Sequence, residues 1–229
     1  MQSKLLEISQ IGQERAGILD LPQKYWPQPG QYLPCQRIDG PPEVLTTHLF
    51  RVFGFDNTLT LAPLPPDWLP GDKLATLPPK GTGFELPSPA QRVGLVALNV
   101  SPSRVLTLVK PALSANASVA LFCDPTPSAD IFVRIPPAVE VATISDLHEN
   151  LDWPDFLAVD LEWASLTSLS GILGEKGEPI DGQVLVRTPM PCRGLGECGV
   201  CAVRTKKGWR LACTDGPVFP LKELLNVAQ

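Results

Sequence analysis

Histidine is nearly absent from this chain: His48 and His148 are the only two among 229 residues. His148-Glu149-Asn150 lacks the second histidine that a zinc-protease helix places one turn on, so both read as surface or packing residues. There is no P-loop, no Gly-x-Ser-x-Gly elbow and no Ser, His, Asp ordering, so phosphate cradling and nucleophilic hydrolysis are not indicated. Positive charge is short as well, with 19 Lys and Arg against 24 Asp and Glu. A general nucleic-acid binder needs a basic surplus to displace counterions, so no nucleic-acid partner is expected. Long apolar runs are missing too. The window from Val93 to Cys123 is broken by Pro102, Arg104, Lys110 and Pro111, short of the ~20 apolar residues that cross a bilayer. No membrane association is expected. Glu7 and Glu14 interrupt the N-terminus before a signal-peptide core can form, and the expectation is a cytoplasmic protein.

Proline, by contrast, is abundant, and it is uneven. Of the 26 prolines, 14 lie between Pro22 and Pro89, separating short β-rich runs at Thr46–Phe53, Thr58–Leu61 and Lys73–Leu77. That spacing predicts an N-terminal antiparallel β-barrel over residues 1–89. From Arg92 the pattern becomes apolar strands alternating with helical stretches, at Val93–Leu98, Val119–Cys123, Val139–Thr143, Phe156–Asp160 and Gln183–Arg187. Residues 90–187 thus read as a parallel α/β domain of nucleotide-binding type. Ser101-Pro102 opens a helical segment through Leu113 that Pro111 should kink, and Trp163 to Leu173, closed by Gly174, reads as a later helix. Asp152, Asp155, Asp160 and Glu162 read as a solvated edge without catalysis. Residues 188–229 form a third, small module, rich in Gly and Cys, with a helical tail from Leu221 to Val227.

Four of the six cysteines fall in that module, as Cys192, Cys198, Cys201 and Cys213, spaced C-x5-C-x2-C-x11-C. Thiolates this close, interleaved with glycines, suit a cluster whose bridging sulfides need backbone N–H groups nearby, an approach that side chains would block. A [2Fe–2S] centre on four thiolates carries a net charge of about −2 oxidised and about −3 reduced. Between Met190 and Asp215 stand Arg193, Arg204, Lys206, Lys207 and Arg210 against Glu197 and Asp215, a surplus of three positive charges in a chain of net charge −5. Zinc on the four cysteines is the alternative metal, although zinc ribbons usually offer two C-x2-C pairs and only Cys198 and Cys201 form one here. Disulfides would need an oxidising compartment. Cys35 and Cys123 stand apart and read as small buried hydrophobes.

The segment from Cys192 through Cys198-Gly199-Val200-Cys201 to Leu211-Ala212-Cys213-Thr214-Asp215-Gly216-Pro217-Val218-Phe219 resembles the C-terminal module of a family. That family is the electron-transfer subunits of dihydroorotate dehydrogenase B, within the ferredoxin–NADP reductase-like superfamily. The three-part order of barrel, α/β domain and iron–sulfur module is also the family's. The first cysteine gap is one residue longer than is usual there and reads as a loop insertion. The resemblance implies an oxidoreductase subunit that transfers electrons rather than a stand-alone enzyme, with Cys192, Cys198, Cys201 and Cys213 holding the [2Fe–2S] cluster. It implies a hetero-oligomer with an FMN-containing dihydroorotate dehydrogenase catalytic subunit of pyrimidine biosynthesis, where the oxidation of dihydroorotate takes place. A ferredoxin is a further conceivable carrier. For FAD, the family's glycine-rich stretch carries over onto Gly81, Gly83 and Phe84, and Gly30-Gln31-Tyr32 is present. Thr46-Thr47-His48-Leu49-Phe50 departs from the family's flavin strand, which leaves FAD open. The turn Leu98-Asn99-Val100-Ser101-Pro102 has no glycine for a pyrophosphate to approach, so NAD is not expected. Three functions remain: a relay without NAD, a complete FAD- and NAD-using reductase, or a zinc-stabilised interaction module.

Overall fold

The computed structural model describes residues 1–39, 45–54, 58–173, 180–225 and 227. Six strands close into an antiparallel barrel: β1 (Gln2–Ile11), β2 (Glu14–Leu19), β3 (Tyr32–Arg37), β4 (Thr47–Arg51), β5 (Thr60–Ala62) and β6 (Lys73–Thr76), in the order β1-β2-β5-β4-β3-β6. Alternating side chains fill its interior, where Leu5, Leu33, Leu49, Leu61, Leu74 and Trp68 are fully buried. The proline spacing located β4, β5 and β6 to within two residues at each end. It passed over β1, β2 and β3, whose alternation is diluted by polar residues such as Glu7, Ser9 and Gln36.

The second sheet contains β7 (Arg92–Leu98), β8 (Ser118–Asp124), β9 (Val139–Thr143), β10 (Phe156–Glu162) and β11 (Gly182–Arg187), all parallel. Their near-continuous apolar runs are those of strands covered on both faces. A two-stranded hairpin follows, β12 (Ala202–Thr205) with β13 (Gly208–Leu211), and then β14 (Val218–Pro220). The sheet is therefore not purely parallel. β14 adds itself antiparallel to β11, pairing Phe219 with Val184, and the order is β14-β11-β10-β7-β8-β9. Phe219 and Val218 are buried there, so the C-terminal segment shares the core of the α/β domain.

The helices are short: α1 (Val109–Ser114), α2 (Ala129–Phe132), α3 (Ile144–Glu149), α4 (Leu166–Leu173) and α5 (Leu221–Leu224). The expected kinked helix from Ser101 to Leu113 is instead a 3-10 turn over Val105–Leu108 followed by α1. Pro111 then falls in the first turn of α1, where its missing N–H costs nothing, so no kink is needed. Trp163–Ser165 is likewise a 3-10 turn leading into α4, and Gly174, expected to close that helix, lies outside the described residues. The tail helix ends at Leu224, short of Val227.

Candidate metal centre and the cleft beside it

The loop between β11 and β12 is built by left-handed backbone. Arg193, Gly194, Gly196 and Gly199 have φ of 58°, 72°, 76° and 70°. At Gly194 a side chain would collide with the Tyr32 hydroxyl, so both the turn and the approach of the barrel require glycine. These turns aim amide groups inward. The N–H groups of Leu195, Gly196 and Glu197 converge on the Cys192 sulfur. Burial works against the Cys192 thiolate, but these amides and a hydrogen bond from the Cys198 thiol outweigh it and hold its pKa below the usual thiol range. Across the loop, Cys213 hydrogen-bonds Cys201, and its pKa is driven up by burial, then by Cys201 and by the charge on Cys192. The Gly196 amide reaches both Cys192 and Cys213.

The four sulfurs are thus gathered as two pairs, Cys192 with Cys198 and Cys201 with Cys213. Among the described residues, no three ligand-type side chains converge as one group able to hold a metal ion. Paired thiols beside converging amides fit a two-iron cluster, which Cys192, Cys198, Cys201 and Cys213 would hold and whose negative charge these N–H groups would favour. A buried Cys213 thiolate beside another thiolate is unfavourable without a cation, and bound iron would supply one. Cys198 is exposed at the rim, whereas Cys201 and Cys213 are buried.

The barrel clamps this loop. Tyr32 Oη donates to the Cys213 carbonyl at 2.8 Å, and Lys80 Nζ donates to the carbonyls of Arg193 and Gly194 at 3.1 and 3.2 Å. In return Arg193 reaches into the barrel, to Thr46 Oγ1 at 2.8 Å and Gln36 Oε1 at 2.7 Å. Thr82 Oγ1 donates to the Val218 carbonyl at 2.7 Å. Gly81 and Gly83 lie on this seam. A side chain on Gly81 would begin 2.6 Å from the Gly216 carbonyl, and one on Gly83 would begin 2.8 Å from that of Pro29. Phe84 is buried beside Gly30. The close approach that these glycines allow is therefore of protein to protein. None of the clamping side chains was singled out for this role from the sequence. Tyr32 of the Gly-Gln-Tyr segment carried the one available signal.

A second contact joins barrel and sheet. Asp160, read from sequence as part of a solvated edge, is fully buried in β10. Arg187 holds it with Nε to Oδ1 at 2.7 Å and Nη2 to Oδ2 at 2.5 Å. Arg187 also reaches Glu14 of β2 at 3.3 Å, and the buried Arg104 donates to both Glu14 oxygens at 3.0 and 3.1 Å. A charged residue in the otherwise apolar run Phe156–Leu161 was the overlooked signal, since a buried carboxylate demands a partner. The Arg104 guanidinium also lies over the Phe50 ring at 5.2 Å.

Above this network lies a cavity of about 330 Å³ at the carboxyl ends of the parallel strands. It sits where the strand order reverses, between β7 and β10, the usual ligand crevice of such sheets. Its walls include Glu14, Glu162 and Arg187. The turn after β7 leads into a 3-10 segment rather than the N-terminus of an α-helix. Two carboxylates in the lining, with a helix N-terminus only from the four-residue α2 at Ser128, suit a dinucleotide pyrophosphate poorly. Of the two histidines, His148 is exposed in α3, and His48 packs edge-on against Tyr32 at 4.9 Å. Cys35 and Cys123 are both buried, in β3 and β8.

Comparison with known proteins agrees with this geometry. Residues 188–225 match the iron–sulfur cluster binding domain of dihydroorotate dehydrogenase B. The chain is 26% identical over 201 residues to the dihydroorotate dehydrogenase B (NAD(+)) electron transfer subunit of Desulforamulus reducens, covering 78% of this chain and 74% of that one. The corresponding Clostridium perfringens subunit is 25% identical over 161 residues, 65% of each chain. Among solved structures, an NADH-dependent reduced ferredoxin-NADP oxidoreductase aligns over 96% of this chain and 88% of its own, with a TM-score of 0.72 at 17% identity. Ferredoxin-NADP+ reductase from Plasmodium falciparum aligns over 78% and 90%, with a TM-score of 0.58 at 8% identity. Residues 188–225 are therefore similar to the iron–sulfur cluster binding domain of dihydroorotate dehydrogenase B, on a ferredoxin reductase-like fold, and the chain is similar in sequence to electron transfer subunits of that enzyme.

Proposed function

We propose that this chain is an electron-relay subunit of the dihydroorotate dehydrogenase type, serving pyrimidine biosynthesis in the cytoplasm. Cys192, Cys198, Cys201 and Cys213 would hold a [2Fe–2S] centre. When bound, the centre supplies a site that takes up and returns one electron at a time. The partner is an FMN-containing catalytic subunit, where dihydroorotate is oxidised. The observation that carries this reading is the gathering of four thiols into two pairs around the Gly196 amide.

The chain's own residues position and insulate. The amides of 195–197 stabilise negative charge on the sulfurs, and Tyr32 and Lys80 hold the loop against the barrel.

Anaerobically purified protein should contain roughly two iron and two acid-labile sulfide per chain, absorb between about 400 and 600 nm, and give a paramagnetic signal with dithionite. Cys198→Ser and Cys201→Ser should abolish the colour, whereas Cys35→Ser and Cys123→Ser should leave it unchanged. Colourless protein containing zinc would overturn the reading in favour of an interaction module.

A further inference from the structure

Lys80 is fixed by its backbone before its side chain reaches anything. Its N–H and C=O both bond Tyr32, at 2.9 and 3.1 Å, in an isolated antiparallel bridge. Directly opposed residues send their side chains to one face. Both side chains accordingly reach the cysteine loop, Tyr32 Oη at the Cys213 carbonyl and Lys80 Nζ at the carbonyls of Arg193 and Gly194. Gly194, with φ of 72°, leaves the opening that the lysine enters, since a side chain there would begin 3.0 Å from Lys80 Cδ.

Those two carbonyls belong to the segment that follows Cys192. A trans peptide is planar and carries its C=O and N–H on opposite edges. The Gly194 carbonyl that accepts from Lys80 shares a peptide unit with the Leu195 N–H. That N–H is one of the three that converge on the Cys192 sulfur, and it also closes the turn onto the Cys192 carbonyl at 3.1 Å. Holding the carbonyl toward the barrel therefore holds the N–H toward the sulfur. An ammonium on the oxygen also polarises the peptide and strengthens the hydrogen bond made at its other edge. Lys80 is half-buried, so water screens it less than a surface lysine. The neighbouring Arg193 guanidinium ends on Thr46 and Gln36, side chains of the barrel.

We propose that Lys80 is a positioning residue of the electron-relay centre: through the peptide joining Gly194 to Leu195 it aims and strengthens an N–H donor at the Cys192 sulfur, which makes the centre easier to reduce. The inference rests on the reading of the four cysteines as ligands of a one-electron centre. Reduction adds negative charge that the sulfurs share, so a donor aimed at a sulfur favours the reduced state and its loss lowers the potential.

A dye-mediated anaerobic titration of the iron-loaded full chain tests this. Lys80→Met should move the one-electron equilibrium about tenfold toward the oxidised form, a potential lower by about 59 mV. Lys80→Arg keeps the charge and the donors and should stay within about threefold of the wild type. Hydrogen exchange read by mass spectrometry follows the peptide itself: Lys80→Met should speed exchange over residues 193–197 about tenfold and leave β10 unchanged. A Lys80→Met equilibrium within about twofold of the wild type overturns the proposal. So does a Lys80→Arg protein shifted as far as Lys80→Met, or exchange over 193–197 that does not change. If Lys80→Met does not retain iron, Lys80→Gln takes its place under the same thresholds. Loss of iron from both neutral variants but not from Lys80→Arg supports the role, and loss from all three overturns it. A wild-type protein without iron overturns the reading of the cysteines, whereas an iron-loaded wild type whose potential ignores Lys80 overturns only this inference.

Discussion

The barrel meets the rest of the chain along two seams of opposite chemistry. Toward the cysteine loop, the contacts run mainly from side chains to backbone carbonyls: Tyr32 to Cys213, Lys80 to Arg193 and Gly194, Thr82 to Val218. Toward the parallel sheet, four charged side chains, Arg104, Glu14, Arg187 and Asp160, are locked in mutual pairs. Backbone carbonyls do not change charge, so the first seam keeps its geometry whichever charge the neighbouring sulfurs carry. The second balances two guanidiniums against two carboxylates and fills the ground where a ligand crevice would deepen. One seam is arranged around charge that changes, and the other is closed by charge that cannot.

The largest effect should come from breaking the second seam. Asp160→Ala removes the fully buried carboxylate of Arg187, which keeps only its 3.3 Å contact with Glu14, and breaking a buried pair costs about 3–5 kcal/mol. Urea denaturation should register that loss as a lower midpoint. Combining Asp160→Leu with Arg187→Met should recover most of it, because a buried ion pair is often replaceable by apolar packing. If the single substitution costs no more than a surface change, the cleft is not held by these charges.

The first seam should break more gently and with a different readout. Tyr32→Phe removes one hydrogen bond and leaves the Cys213 carbonyl without that donor, a loss of about 1–3 kcal/mol. The same hydroxyl supports a segment that ligates the proposed centre, so the substituted protein should also show a lowered reduction potential in a dye-mediated titration. A stability loss with the potential unchanged would mean that this seam is only structural. Asp160→Ala, on the far side of the barrel contact, should leave the potential alone.

How far the sequence revealed each seam follows from what each is made of. Strand periodicity and cysteine spacing are local patterns, so β4 to β6, the parallel strands and the grouping of four cysteines in one short segment were legible, whereas β1 to β3 were not. The antiparallel β14 was not, because Val218–Pro220 is too short for alternation to register and is recruited by its burial against Val184 and Leu185. Tyr32 and Cys213 are 181 residues apart, and Glu14 and Arg187 are 173 apart, so neither pairing leaves a mark on nearby sequence. Asp160 alone advertised itself, as a carboxylate inside an apolar strand, and the flanking acids Asp155 and Glu162 disguised it as part of a surface run.

The smallest effect belongs to His48, which stands against Tyr32 on the side of the cysteine seam. Burial, helped by the charge on Lys80, lowers its pKa from the ordinary value of 6.5 to about 4, and its Nε2 is buried without a hydrogen-bond partner. The unfolded chain therefore binds a proton here below about pH 6.5 that the folded chain refuses until about pH 4. Stability from this group is complete above the upper value and drains away as pH falls through the window. With the ring partly exposed, solvent screening leaves an effect of about 1 kcal/mol. His48→Gln should flatten the decline in denaturation midpoint between those two pH values, while Asp160→Ala should lower the whole curve without changing its slope there. A slope that survives in His48→Gln would assign the acid sensitivity to the carboxylates of the cleft and remove the histidine from the comparison.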